Sequence, residues 1–223
     1  MSYDTTIWNY LKGRGFTDFA AAGIMGNLYA ESGLNPENLQ NNFEATLGMT
    51  DHQYTMAVDN YTYDNFVKDA AGYGLAQWTF WSRKQGLFNL ARNWGKSVGD
   101  LEVQLEFLVS ELKEFGLIDK LNSCQSVRES SNIMLFEFEK PYDTGTVVQN
   151  ARAKWSEDFY NKFHGQIVAA PVEDVPNTPA KNEEMYCVIA LGKYATKAEA
   201  KNYMKVLQGN GFSCLLTTVE CSG

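Results

Sequence analysis

Glu31 is the residue of this 223-residue chain whose neighbours best suit it to acid chemistry. It stands in Ala30-Glu31-Ser32-Gly33-Leu34-Asn35-Pro36, at the predicted end of an apolar helix. A second block follows, Gly72-Tyr73-Gly74-Leu75-Ala76-Gln77-Trp78, a glycine-rich turn carrying an amide and aromatic rings. A carboxyl group kept neutral can give its proton to a leaving oxygen. Gly72 and Gly74 allow a ligand to approach the main chain where a side chain would block it. The Gln77 amide both donates and accepts. Tyr73, Trp78 and Trp81 present flat apolar faces with polar edges, suited to a pyranose ring, although Trp78 would serve equally well as a core residue. The candidate substrate-binding residues are therefore Tyr73, Gly74, Gln77, Trp78 and Trp81.

The element that must position Glu31 is a helix over residues 18–32. Thr17 is a suitable N-cap, and Asp18 places a negative charge in the first turn. Ala20, Ala21 and Ala22 favour helix, Gly33 suits the C′ position, and Pro36 forbids continuation. Ile24, Leu28 and Glu31 are spaced by four and three, which puts the carboxyl on the apolar face. Partial burial and the negative end of the helix dipole both disfavour its ionised form, as a general acid requires.

The two blocks in this order resemble the lysozyme superfamily, in particular the phage-tail and endolysin-type lysozymes. The resemblance covers residues 5–165. It includes Phe138-Glu139-Lys140-Pro141 and Ala151-Arg152-Ala153-Lys154-Trp155, which are similar to the closing helices of phage-tail lysozymes. It implies a mainly helical α+β catalytic domain with a small hairpin, acting on the MurNAc-GlcNAc bond of bacterial peptidoglycan without a cofactor or metal. By the same resemblance Glu31 is the catalytic acid, and Tyr73 and Gln77 line the cleft. Lysozyme is the type case of the two-carboxylate mechanism, yet here Gly72 occupies the place of the second carboxylate in chicken-type members. Asp69, the acid nearest the turn, is the candidate base for an inverting mechanism, with Asp64 in reserve. Lytic transglycosylases share the Glu-Ser acid and a Gly-Leu-x-Gln block, and need no second carboxylate. A non-catalytic peptidoglycan-binding or virion structural protein is the alternative of a different class.

Composition sets the wider limits. A net charge of −8 and a pI near 4.8 argue against nucleic acid as the main partner. No apolar run approaches the roughly 20 residues that a membrane span needs. Residues 1–6, Met-Ser-Tyr-Asp-Thr-Thr, lack the basic start and apolar core of a secretory signal. The expectation is a phage enzyme released through a holin, or one mounted on a virion, that acts at the cell wall. Cys124, Cys187, Cys214 and Cys221 then read as reduced thiols. A cysteine amidase or peptidase would need a paired histidine, and only His52 and His164 exist. Two histidines without metal-ligand spacing give no expectation of zinc.

Along the chain, residues 5–12 read as a short helix with Ile7, Trp8 and Leu11 on one side, and residues 37–70 as loops with short elements over the cleft. A helix is predicted over 81–93. Leu101, Leu105, Leu108, Leu112 and Phe115 form an apolar stripe ending at Gly116. Residues 126–139 and 146–163 supply two more helices, which completes a domain over residues 1–168. Residues 169–184 hold three of the five prolines among acidic residues, an extended linker. Residues 185–223 read as strand, helix and strand, with a capping box from Thr196 to Glu199. This tail resembles half of a SPOR module, which binds peptidoglycan, in a ferredoxin-like βαβ arrangement. By that resemblance Tyr186, Val188 and Tyr194 contact the wall. The missing half predicts that two chains pair their tails as a homodimer.

Overall fold

The computed structural model describes residues 3–165. Helix α1 (Tyr3–Gly13) buries Ile7, Trp8 and Leu11, the side its spacing selects. Helix α2 (Asp18–Ser32) is the axis of the domain, with every residue from Ala20 to Leu28 buried. Thr17 caps it through the Ala20 amide at 3.2 Å, and Gly33 ends it with a left-handed φ of 62°.

Helices α3 (Asn41–Leu47) and α4 (Asp51–Asp59) are the short elements of the stretch expected to hold loops with short elements. Helix α4 has a readable start. Thr50 accepts from the Gln53 amide while the Gln53 side chain accepts from Thr50, a complete capping box. Its stripe is short, with only Tyr54, Thr55 and Val58 buried. Helix α3 buries no residue fully, so no periodicity marks it.

Helices α5 (Trp81–Trp94) and α6 (Leu101–Glu114) fall where the spacing puts them. After Gly116, whose φ is 68°, the short α7 (Leu117–Asn122) resumes. Helix α8 (Val127–Ile133) runs into a π-helical turn at Met134–Glu139, where the spacing predicts a single helix. Helix α9 (Thr146–Phe163) closes the domain, and Phe163 stacks on Trp8 of α1 at 5.2 Å.

Helix α2 is packed by α9, α8 and α1. Glycine makes the closest crossing possible. A Cβ on Gly26 would lie 2.0 Å from Ser156 Oγ and 2.5 Å from the Ser156 amide, so α9 rests directly on the α2 backbone.

The expected hairpin is reduced to two isolated antiparallel bridges, Leu39 to Tyr73 and Tyr73 to Trp78, and the described residues contain no strand. The turn is too tight to extend them. Gly74 and Gln77 both adopt positive φ, 76° and 45°, and the Gly74 amide donates to Asn38 O at 2.8 Å. The linker at 169–184 and the βαβ tail, with Tyr186, Val188 and Tyr194, lie outside the described residues.

Candidate active site

Glu31 sits in the last turn of α2 with 19% of its side chain exposed. Its face of the helix is not simply apolar. Asn27, one turn earlier, is fully buried, and its amide donates to Gly23 O at 2.9 Å and Ser131 O at 3.1 Å. Arg152 of α9 spans the two positions. Its Nη1 donates to Asn27 Oδ1 at 3.1 Å, and its Nη2 forms an ion pair with Glu31 Oε1. The Gly26 crossing brings α9 close enough for that reach. Glu31 is thus oriented by a guanidinium that is itself oriented by a buried amide. Ile24 and Leu28, spaced with Glu31 on the expected stripe, are fully buried, and Asn27 and Arg152 add a polar clamp beside it.

The two sequence blocks meet in space. Ser32, next to the acid, donates to Leu75 O at 2.9 Å. Gln104 of α6 accepts from the Leu75 amide at 2.8 Å and donates to Pro36 O and Val98 O. A Cβ on Gly74 would lie 2.6 Å from Gln104 Oε1, so glycine is needed there for the protein's own side chain.

Several expected cleft residues are placed differently. Tyr73 is fully buried, with its hydroxyl 2.6 Å from that of Thr55. Trp78 is also fully buried, and its Nε1 donates to Glu111 at 2.7 Å. Both rings fill the core instead of lining a surface, because the one-bridge turn folds them inward. The Gln77 amide is committed to Asn38 Oδ1 at 2.8 Å and to Asn38 O at 3.0 Å. Trp81 is the one candidate ring that faces solvent, 58% exposed beside the exposed Phe80. It borders a depression of about 370 Å³ with Val67, Lys68, Ala70 and Thr79.

Asp69 is not a solvated loop carboxylate. Its Oδ1 accepts from Lys84 Nζ at 2.6 Å and the Ala71 amide at 3.0 Å, and its Oδ2 accepts from the Tyr54 and Tyr63 hydroxyls. Both charged side chains are buried, at 3% and 0% exposure, and burial drives the Lys84 ammonium below its ordinary range. Asp64 is exposed. Cys124 is buried, its thiol pushed up by that burial, and His164 stacks on Tyr160 at 4.6 Å, so neither is arranged as an activated pair.

Spacing does not expose the remaining charges near Glu31. Glu139 ends the π-helical turn, its Oε1 buried without a hydrogen-bond partner. Burial first, then the charge of Glu31, pushes its carboxyl well above the usual range, with Arg83 and Arg152 opposing. Arg83 binds Glu111 through both Nε and Nη2, at 2.6 and 2.8 Å. One signal is present in the sequence: Arg152 stands between two alanines on the inner face of α9, a charge where only a buried partner is tolerable.

The domain is helical and of the lysozyme type, a class of glycoside hydrolase. The family model for phage tail lysozyme matches residues 3–163, and the chain belongs to that family. Its substrate is accordingly peptidoglycan, at the bacterial cell wall. No helix among the described residues is long and apolar enough to cross a membrane.

Proposed function

We propose that this protein cleaves the MurNAc-GlcNAc bond of peptidoglycan with Glu31 as the general acid. The observation that carries this is the placement of Glu31. It is fixed by Arg152, joined through Ser32 to the glycine turn, and still open to a ligand. In the reaction the carboxyl proton goes to the glycosidic oxygen as the C–O bond breaks, and water supplies hydroxide to the sugar carbon and returns a proton to the enzyme. Trp81, the exposed ring among the candidates, is the one proposed to stack on a sugar. From its sequence, the tail at 185–223 is proposed to hold the enzyme on glycan strands.

The test is digestion of purified peptidoglycan by the full chain and by Glu31→Gln, with fragments read by mass spectrometry. The variant should release none while keeping its circular dichroism and melting temperature. Undiminished release would overturn the assignment.

A second reading, lytic transglycosylation, is favoured by one observation: Asp69 is occupied by Lys84 and two tyrosines, which withdraws the first candidate base. Anhydro-muramic ends on the fragments would establish it, and reducing ends would establish hydrolysis.

A further inference from the structure

The depression beside Trp81 holds more than an apolar wall. Trp81 and Phe80 are 58% and 61% exposed, with ring centres 6.0 Å apart. They meet Val67, Lys68, Ala70 and Thr79 around a volume of about 370 Å³, within the range of small-ligand pockets. The cations of α5 and of the loop after it, Arg83, Lys84, Arg92 and Lys96, are each ion-paired. Lys68 is exposed and forms no ion pair among the described residues. The acid next to it in the chain is spent. Asp69 gives Oδ1 to Lys84 and the Ala71 amide, and Oδ2 to the Tyr54 and Tyr63 hydroxyls, which leaves its neighbours Lys68 and Ala70 exposed. In a chain of net charge −8, an unpaired lysine beside exposed rings is a local reversal of sign. Thr79 joins this depression to the glycine turn, since its Oγ1 lies 3.3 Å from where a Cβ on Gly72 would stand. Ser32 ties the same turn to the end of α2.

We propose that this depression takes a peptidoglycan sugar on Trp81 and, through Lys68, a carboxylate of the peptide stem that the sugar carries, so that glycan with ionised stems is the preferred ligand. This rests on the reading of Trp81 as a sugar-stacking ring. Peptidoglycan joins the two chemistries in one repeat: a pyranose with an apolar face, and a short peptide bearing carboxylates. An indole suits the first and an ammonium the second. Lysine is a compact charge on a flexible stem, not a rigid fork. It can follow a carboxylate on a mobile peptide, whereas an anion fixed to the ring would call for a fixed donor. Because Lys68 is exposed, the pairing is modest in strength and screened by salt.

The test is binding of soluble GlcNAc-MurNAc-tetrapeptide to the full chain, followed through the Trp81 indole N–H signal in NMR, which Trp81→Phe identifies. A signal at Trp81 reports this depression and no other part of the chain. The fragment has no MurNAc-GlcNAc bond to cleave, so the measurement is independent of Glu31. It is compared with the same fragment after its carboxyl groups are converted to amides. The natural fragment should bind about three- to fivefold more tightly, the range of an exposed ion pair, and the difference should disappear near about 1 M salt. Lys68→Gln should bring the natural fragment to the affinity of the amide and leave the amide unchanged, while Lys68→Arg keeps the preference. Equal affinities in the parent chain, with Trp81 still responding, would overturn the role of Lys68 and leave the sugar reading standing. A preference that survives in Lys68→Gln would also overturn it. A peptide-free phosphorylated disaccharide that binds as tightly as the natural fragment would assign the lysine to phosphate and overturn the stem. No response of Trp81 to any fragment would overturn the sugar reading and the proposal together.

Discussion

Asp69, the candidate base, is buried in an ion pair with Lys84. The ammonium donates to Asp69, to Ala71 O and to Tyr54, and lies 4.4 Å from the centre of the Phe66 ring. With both side chains out of water, removing one partner leaves the other as an unpaired buried charge, a loss of about 3–5 kcal/mol. Asp69→Ala should therefore lower the unfolding free energy read from urea denaturation by that order, while the cleavage rate per folded molecule stays within about twofold. A rate loss beyond about a hundredfold with stability intact would instead make Asp69 the base. The contrast with Glu31 is one of access. Both are ion-paired, but the Glu31 side chain keeps 19% exposure against 3% for Asp69.

At the scale of elements, the site depends on how closely α9 approaches α2. Gly26 allows it, and the crossing delivers Arg152 one turn from Ser156 to the level of Asn27 and Glu31. Gly26→Ala would force its methyl group into the Ser156 backbone, where nothing flexible can yield. The expected cost is about 1–3 kcal/mol, read from chemical denaturation. Activity should fall further than stability explains, because a lifted α9 withdraws Arg152 from Glu31. An unchanged rate per folded molecule would show that the clamp tolerates the shift. The second anchoring element is the 36–40 segment. Gln104, Asn38 and Gln40 tie it to the glycine turn, and Ser32 ties that turn to the end of α2.

For the whole molecule, four buried or half-buried tyrosines should set the alkaline limit of stability. Burial raises the hydroxyls of Tyr10, Tyr54 and Tyr73 above their ordinary range, with Glu106 adding to the first and Asp69 to the second. Tyr63 is raised to about 12 by burial and by Asp69. An unfolded tyrosine loses its proton near pH 10, whereas these keep theirs when folded. The folded state therefore binds more protons between the two values, and stability falls as pH rises through that interval. The buried Lys84 acts in the opposite sense, gaining stability as pH rises toward its unfolded value, but it is one group against four. Urea midpoints should hold steady between about pH 7 and 9 and drop steeply above about 10. A flat profile to about pH 11 would contradict the placement of these hydroxyls.

Helices with long apolar stripes or strong caps are legible in the residues alone. Thr17, the alanines, Gly33 and Pro36 mark α2, and leucine spacing marks α6, because local propensity and burial agree there. Helix α3 is silent because it buries nothing, and the break from α8 into the π-turn has no mark in residue spacing. Caps, turns and periodicity act over a few residues, so the residues alone place one carboxylic acid at the end of an apolar helix ahead of a glycine turn. Which charges surround that acid follows from tertiary packing. Arg152 and Glu139 are 121 and 108 positions from Glu31, and Lys84, 15 positions from Asp69, reaches it only once α5 has folded against the turn. Desolvation and pairing depend on where packing brings groups from distant segments, and no local pattern records that.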